Sequence, residues 1–156
     1  MSKSLRRVQS ALEAAGLAAR IRETDDSART AQGAAAAVGC AVDQIAKSVI
    51  FRGEESGHVV LFLTAGGNRV DPAKATGVAG QRLDKADAEL IRAETGFAIG
   101  GVAPVGHLRR IEAWLDPRLL DFDLVWAAAG TPRHVFAIAP ADLLRITGAK
   151  AADFTA

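Results

Sequence analysis

A chain of 156 residues with 49% hydrophobic content can bury one core and is too short to argue for two domains. Nineteen basic residues against 18 acidic ones give a formal net charge of +1, which argues against a protein that holds DNA or long RNA mainly by non-specific backbone attraction. Cys40 stands alone and cannot form an intramolecular disulfide, and no apolar run is long enough for a bilayer, so a cytoplasmic protein without a membrane partner is expected.

The N-terminus "MSKSLRRVQSALEAAG" is basic, but Leu5, Val8, Leu12 and Ala15 recur at helical spacing instead of forming a signal-like core. The spacing predicts an amphipathic helix over 4–15, stopped at Gly16, with Lys3, Arg6 and Arg7 on its exposed face. A second helix is expected from Thr30, as N-cap, to Val38, with Gly39 past its end. "AKSVIFR" and "HVVLFLTA", joined by the polar "GEESG", read as a β-hairpin. Strand alternation puts Lys47, Val49 and Phe51 on one face and Ala46, Ser48 and Ile50 on the other, so a charge points the same way as two core-forming side chains.

Asp71 before Pro72 starts a short helix expected to end at Gly77. "LDKADAELIRAETG" predicts another, capped by Asp84, terminated by Gly96 and burying Leu90 and Ile91. After the glycine-rich "GFAIGGVAPVGH" come strand candidates "RIEAWLD", "FDLVWAAAG" and "HVFAIAP", then a helix from Pro140 to Thr147. The final "AKAADFTA" is expected to fray. Hairpins mixed with scattered helices and no βαβ repeat indicate an α+β fold: one domain over 1–156, with a mixed, mostly antiparallel sheet surrounded by helices.

Residue chemistry leaves alternatives open. Lys47 is either a rim lysine whose ammonium reaches water along a buried stem or a cation aimed at a ligand. The segment holding Gly100, Gly101 and Pro104 is either a tight turn or a stiff loop offering bare N–H groups to a ligand oxygen. It is neither a dinucleotide fingerprint nor a phosphate-cradling loop. His58, His107 and His134 lie far apart in sequence, so neither metal nor cofactor is expected. Cys40 lacks an evident base, and no nucleophile elbow surrounds Ser48. Asp116 before Pro117 suits a turn or cap, and His134 suits a satisfied strand histidine.

Taken together, "TAQGAAAAVGCAVDQIAKSVIF", "TGFAIGGVAPVGH" and "AAAGTPRHVFAIAP" resemble the YbaK/EbsC family, the prolyl-tRNA synthetase editing-domain superfamily, from about residue 20 to residue 147. The resemblance implies a free-standing aminoacyl-tRNA deacylase acting on tRNA(Pro) mischarged with alanine, serine, threonine, cysteine or 2-aminobutyrate. The alternative is a non-catalytic module that binds a nucleotide or an RNA 3′ end in the same pocket. Lys47 matches the family's functional lysine, and Gly100 to Pro104 match its G-x-x-x-P loop, which makes Lys47, Gly100 and Gly101 the catalytic residues implied. Asp116 and His134 resemble a pocket acid and histidine of the synthetase-embedded domains. With Pro104, Thr30 and His107 they form the implied substrate-binding set, although His107 equally suits a packing role.

The implied partner is the 3′ acceptor end of an aminoacyl-tRNA, with transient contact to a synthetase, in a monomer or homodimer. Arg6 and Arg7, or Arg109 and Arg110, either touch the acceptor stem or are solvated. No side chain stands out as a general base, so hydrolysis would draw on positioning and on the substrate's own groups.

Overall fold

The computed structural model describes residues 2–156. Five helices, α1 (Lys3–Ala14), α2 (Ala31–Val38), α3 (Pro72–Ala79), α4 (Ala88–Thr95) and α5 (Pro140–Thr147), surround one eight-stranded sheet. Its strands are β1 (Ile21–Glu23), β2 (Ile45–Gly53), β3 (Val59–Ala65), β4 (Leu83–Lys85), β5 (Glu112–Leu115), β6 (Val125–Ala128), β7 (His134–Ile138) and β8 (Lys150–Ala151). They run in the order β1-β7-β6-β2-β3-β5-β8, with β4 added beside β2. The β1/β7, β2/β3, β2/β4 and β6/β7 pairs are antiparallel, whereas β2/β6, β3/β5 and β5/β8 are parallel. This is the expected mixed α+β sheet.

Local chemistry explains most boundaries. The Thr30 hydroxyl accepts from the Gly33 N–H at 3.0 Å and so starts α2. Two expected boundaries move. Gly77 lies inside α3, where nothing crowds it, and the helix ends at Gly80, whose φ of +72° supplies the left-handed cap. Asp84 is not the cap of α4: it belongs to β4 and pairs with Arg52 at 3.1 Å, while Asp87 caps the helix through the Leu90 N–H at 2.8 Å. Leu90 is only half-buried, although Ile91 is fully covered as expected.

The C-terminal residues do not fray. Lys150 and Ala151 extend the sheet as β8, and Val70 and Thr155 form an isolated bridge. The Phe154 ring is completely buried, 4.8 Å from that of Phe62. Five closing residues without periodicity look disposable in sequence, but one aromatic side chain with a prepared slot anchors them.

The sheet's two faces are covered differently. Leu5, Val8 and Leu12 of α1, Ile91 of α4 and Leu143 of α5 close over Ala46, Leu61, Leu63, Leu115 and Phe136 in one continuous core. The opposite face splits into two smaller clusters. Ala34 and Ala35 of α2 pack on Ile45, Trp126 and Val135. Ala75 of α3 and Phe154 pack on Val60, Phe62 and Trp114. Lys47 belongs to this divided face, between the two clusters. The alternation rule was therefore right about its direction, and the break in the packing explains how a charge is tolerated there.

A cleft through a gap in the sheet

β2 pairs with β3 continuously from Ala46 to Arg52. On its other edge it meets β6 only at Ile45 and Ala46 and β4 only from Phe51 to Gly53, so residues 47–50 have no strand beside them. A cleft of about 400 Å³ opens at this gap. Thr30, Ala31 and Ala34 of the α2 region form one wall, Trp126 and His134 another, and Ile99 and Gly100 the loop side. Its surface is largely apolar, and its lining cations, Arg29, Lys47 and Lys85, face no lining carboxylate. That balance suits a ligand with an anionic part.

The Lys47 ammonium is half-buried and donates to the Gly66 carbonyl at 3.3 Å. Burial holds its pKa below the ordinary 10.5; nearby Arg69 pushes the same way, against the weaker pull of Asp116 and Asp43. A main-chain carbonyl accounts for one of three ammonium protons, which leaves donor capacity for a ligand.

The other expected site residues divide between several places. Thr30, Gly100 and His134 line the same cleft as Lys47. His134 opens β7, with its Nδ1 2.6 Å from the Thr131 hydroxyl. Gly101 lies against Thr131, whose Cα would be 2.8 Å from any Cβ placed there, and its N–H donates to the Ala98 carbonyl at 3.1 Å. That donor is spent inside the loop, so Gly101 serves by permitting close approach.

Pro104 and His107 line a different depression, beside Arg109 and Arg145. His107 donates through Nε2 to the Ala103 carbonyl at 2.7 Å, and burial holds its pKa below the usual value, consistent with a neutral packing role. Asp116 is buried at the end of β5, where one oxygen accepts from the Ala65 N–H and the Asn68 amide and the other from the Arg118 N–H. It fastens the turn that carries Gly66 and Arg69 past Lys47. Cys40 is outside the cleft lining; burial raises its pKa, and its thiol donates to the Ala41 carbonyl, an arrangement unlike an activated nucleophile. Among the described residues, no cluster of three His, Cys, Asp or Glu side chains is placed to hold a metal ion, and no helix is long and apolar enough to cross a membrane.

Helical spacing alone places Arg7 on the exposed face of α1. In the fold it is half-buried: Nη2 donates to the Gly96 carbonyl at 2.8 Å, Nε to the Gly106 carbonyl at 3.2 Å, and the guanidinium lies 4.5 Å over the Phe97 ring. One side chain of α1 thus ties together both ends of the loop that reaches the cleft. Arg7→Met is expected to cost about 2–3 kcal/mol, because two carbonyls lose a charged donor, and to lower the urea midpoint accordingly.

A family model for the aminoacyl-tRNA editing domain matches residues 25–146. The chain belongs to that family. A solved structure described as a candidate trans-editing enzyme for prolyl tRNA synthetase is 50% identical to this editing domain; its TM-score is 0.92, with 100% of this chain and 99% of that one covered. The uncharacterized protein YwhH of Bacillus subtilis (strain 168) is 31% identical over 130 residues, 83% of this chain and 82% of that protein. The helix that carries Arg7 precedes the residues matched by the family model, so this brace on the editing domain's loop lies outside that pattern.

Proposed function

We propose that this editing domain is a free-standing deacylase that hydrolyses the ester between a small wrong amino acid and tRNA, with tRNA(Pro) carrying alanine, serine, threonine, cysteine or 2-aminobutyrate as the substrate range. The observation that carries the reading is the Lys47 ammonium, half-buried at a mostly apolar cleft whose lining contains no carboxylate. Such a cation suits the 3′-terminal phosphate or the ribose of an aminoacyl adenosine. The description of the 50% identical structure supports the same assignment.

The lining offers no carboxylate base, and the Nδ1 atom of His134 is engaged with Thr131. An aminoacyl ester is already reactive, so orientation of the carbonyl, exclusion of bulk water and the substrate's neighbouring hydroxyl can supply the rate. Proline is to be rejected by shape in this scheme, and the smaller acyl groups admitted.

The test is hydrolysis of tRNA(Pro) charged separately with alanine, serine, threonine, cysteine and proline. Faster loss of one or more non-prolyl esters than in the enzyme-free control, with prolyl-tRNA spared, is the expected result. Survival of every ester would favour a module that binds the RNA 3′ end without turning it over.

A further inference from the structure

The gap beside β2 has a hydrogen-bonding pattern as well as a volume. Along a strand, main-chain groups of alternate residues point to opposite edges. The Gly53 N–H donates toward the hairpin, to the His58 carbonyl at 2.9 Å, and the Glu54 N–H donates toward β4, to the Arg82 carbonyl at 2.9 Å. The register with β3 is unbroken from Arg52 back to Ala46. Counting back in twos, Phe51, Val49 and Lys47 use their main-chain groups on β3, whereas Arg52, Ile50 and Ser48 present theirs on the other edge.

That edge is where pairing with β6 stops at Ala46 and pairing with β4 begins at Phe51. The Ser48 N–H and C=O and the Ile50 N–H therefore face the cleft without a strand partner. A buried polar group at the same position is also unmatched: among the described residues, the Ser48 hydroxyl is the buried side-chain donor or acceptor with no partner. Of these unpaired groups, the Ser48 C=O and the Ile50 N–H lie on the open strand edge in a cleft with mostly apolar walls, where a ligand can match them.

The spacing specifies its chemistry. A carbonyl at one residue and an N–H two residues later are what a strand offers to a single residue of a parallel neighbour, which donates its own N–H to the first and accepts from the second through its own C=O. We propose that the α-aminoacyl group docks here as a one-residue strand opposite Val49, its α-ammonium donating to the Ser48 carbonyl and its ester carbonyl accepting from the Ile50 N–H. The group continues the direction of β6, which already runs parallel to β2 at Ile45 and Ala46. Recognition then falls on atoms common to all α-amino acids, with the side chain directed to the cleft walls. This inference rests on the deacylase reading above and adds the orientation of the acyl group.

The probe is 3′-(alanylamino)-3′-deoxyadenosine, whose amide resists hydrolysis, compared with its propionyl counterpart, which keeps the carbonyl and lacks the nitrogen. Titration of the labelled protein by NMR should shift and protect the Ile50 amide with both compounds. It should shift the Ser48 carbonyl carbon with the alanyl compound alone, and the propionyl compound should bind about tenfold more weakly. Unmoved Ser48 and Ile50 resonances, equal affinities or no binding overturn the proposal. Ester turnover with unmoved strand resonances removes the strand docking and keeps the deacylase. Strand docking without turnover removes the deacylase and keeps the binding mode.

Discussion

Lys47→Ala is expected to lower deacylation by about a hundredfold or more while leaving the melting temperature within about 4 °C of the parent. Both halves follow from its setting. The side chain sits where the α2 cluster and the α3 cluster part, so truncation opens little packed volume. The ammonium loses hydration on burial and has one neutral carbonyl partner, a poor return for a buried charge. A residue that stabilises the fold so little and still faces the cleft is one whose loss should appear in turnover. Circular dichroism melts alongside single-turnover hydrolysis would separate the effects, and near-parental turnover would remove Lys47 from the mechanism.

The same setting gives the pH dependence a direction. If the protonated amine is the active form, activity is full below its pKa and declines as pH rises through it. Because burial and Arg69 hold that pKa below 10.5, the decline begins at lower pH than an exposed lysine would produce. Arg69→Gln removes the repelling cation, so it should move the alkaline limb upward once spontaneous ester hydrolysis is subtracted.

The second large effect is on stability. Phe154→Ala should destabilise the protein by about 3–5 kcal/mol, a large part of what holds a typical domain folded. The ring is wholly buried among Val60, Phe62, Ala75 and Trp114. Main-chain bonds from the Asp71 N–H to the Phe154 carbonyl at 2.8 Å and from the Ala156 N–H to the Arg69 carbonyl at 2.9 Å are anchored by it. Urea denaturation of the variant measures the loss; a change under about 1 kcal/mol would mean that the tail is an accessory.

What the sequence disclosed depended on how local its cause was. The hairpin, α2 and α5 were legible because two apolar runs joined by a polar turn, a capping threonine, a closing glycine and a first-turn proline act within a few residues. β1, β4 and β8 were not, because strands of two or three residues carry no period and exist through the partner they meet. In "DKAD" two aspartates could each cap α4, and only the pairing of Arg52 with Asp84 leaves the task to Asp87. For the site, alternation gave the direction of Lys47. That Pro104 and His107 turn toward another depression, that Arg7 braces the loop and that β2 is bare at its centre all depend on residues dozens of positions away.

The division of the sheet's second face also equips the protein with optical reporters. There is no tyrosine, and the two tryptophans fall in different clusters: Trp126 borders the cleft with the Arg22 guanidinium 5.0 Å from its ring, and Trp114 stacks on Phe62 at 5.0 Å beside the C-terminal aromatic. Intrinsic emission is thus purely indole, with one fluorophore next to any occupant of the cleft and the other next to the tail. Replacing either by phenylalanine would leave a single-colour probe of ligand arrival or of tail release, with no dye attached.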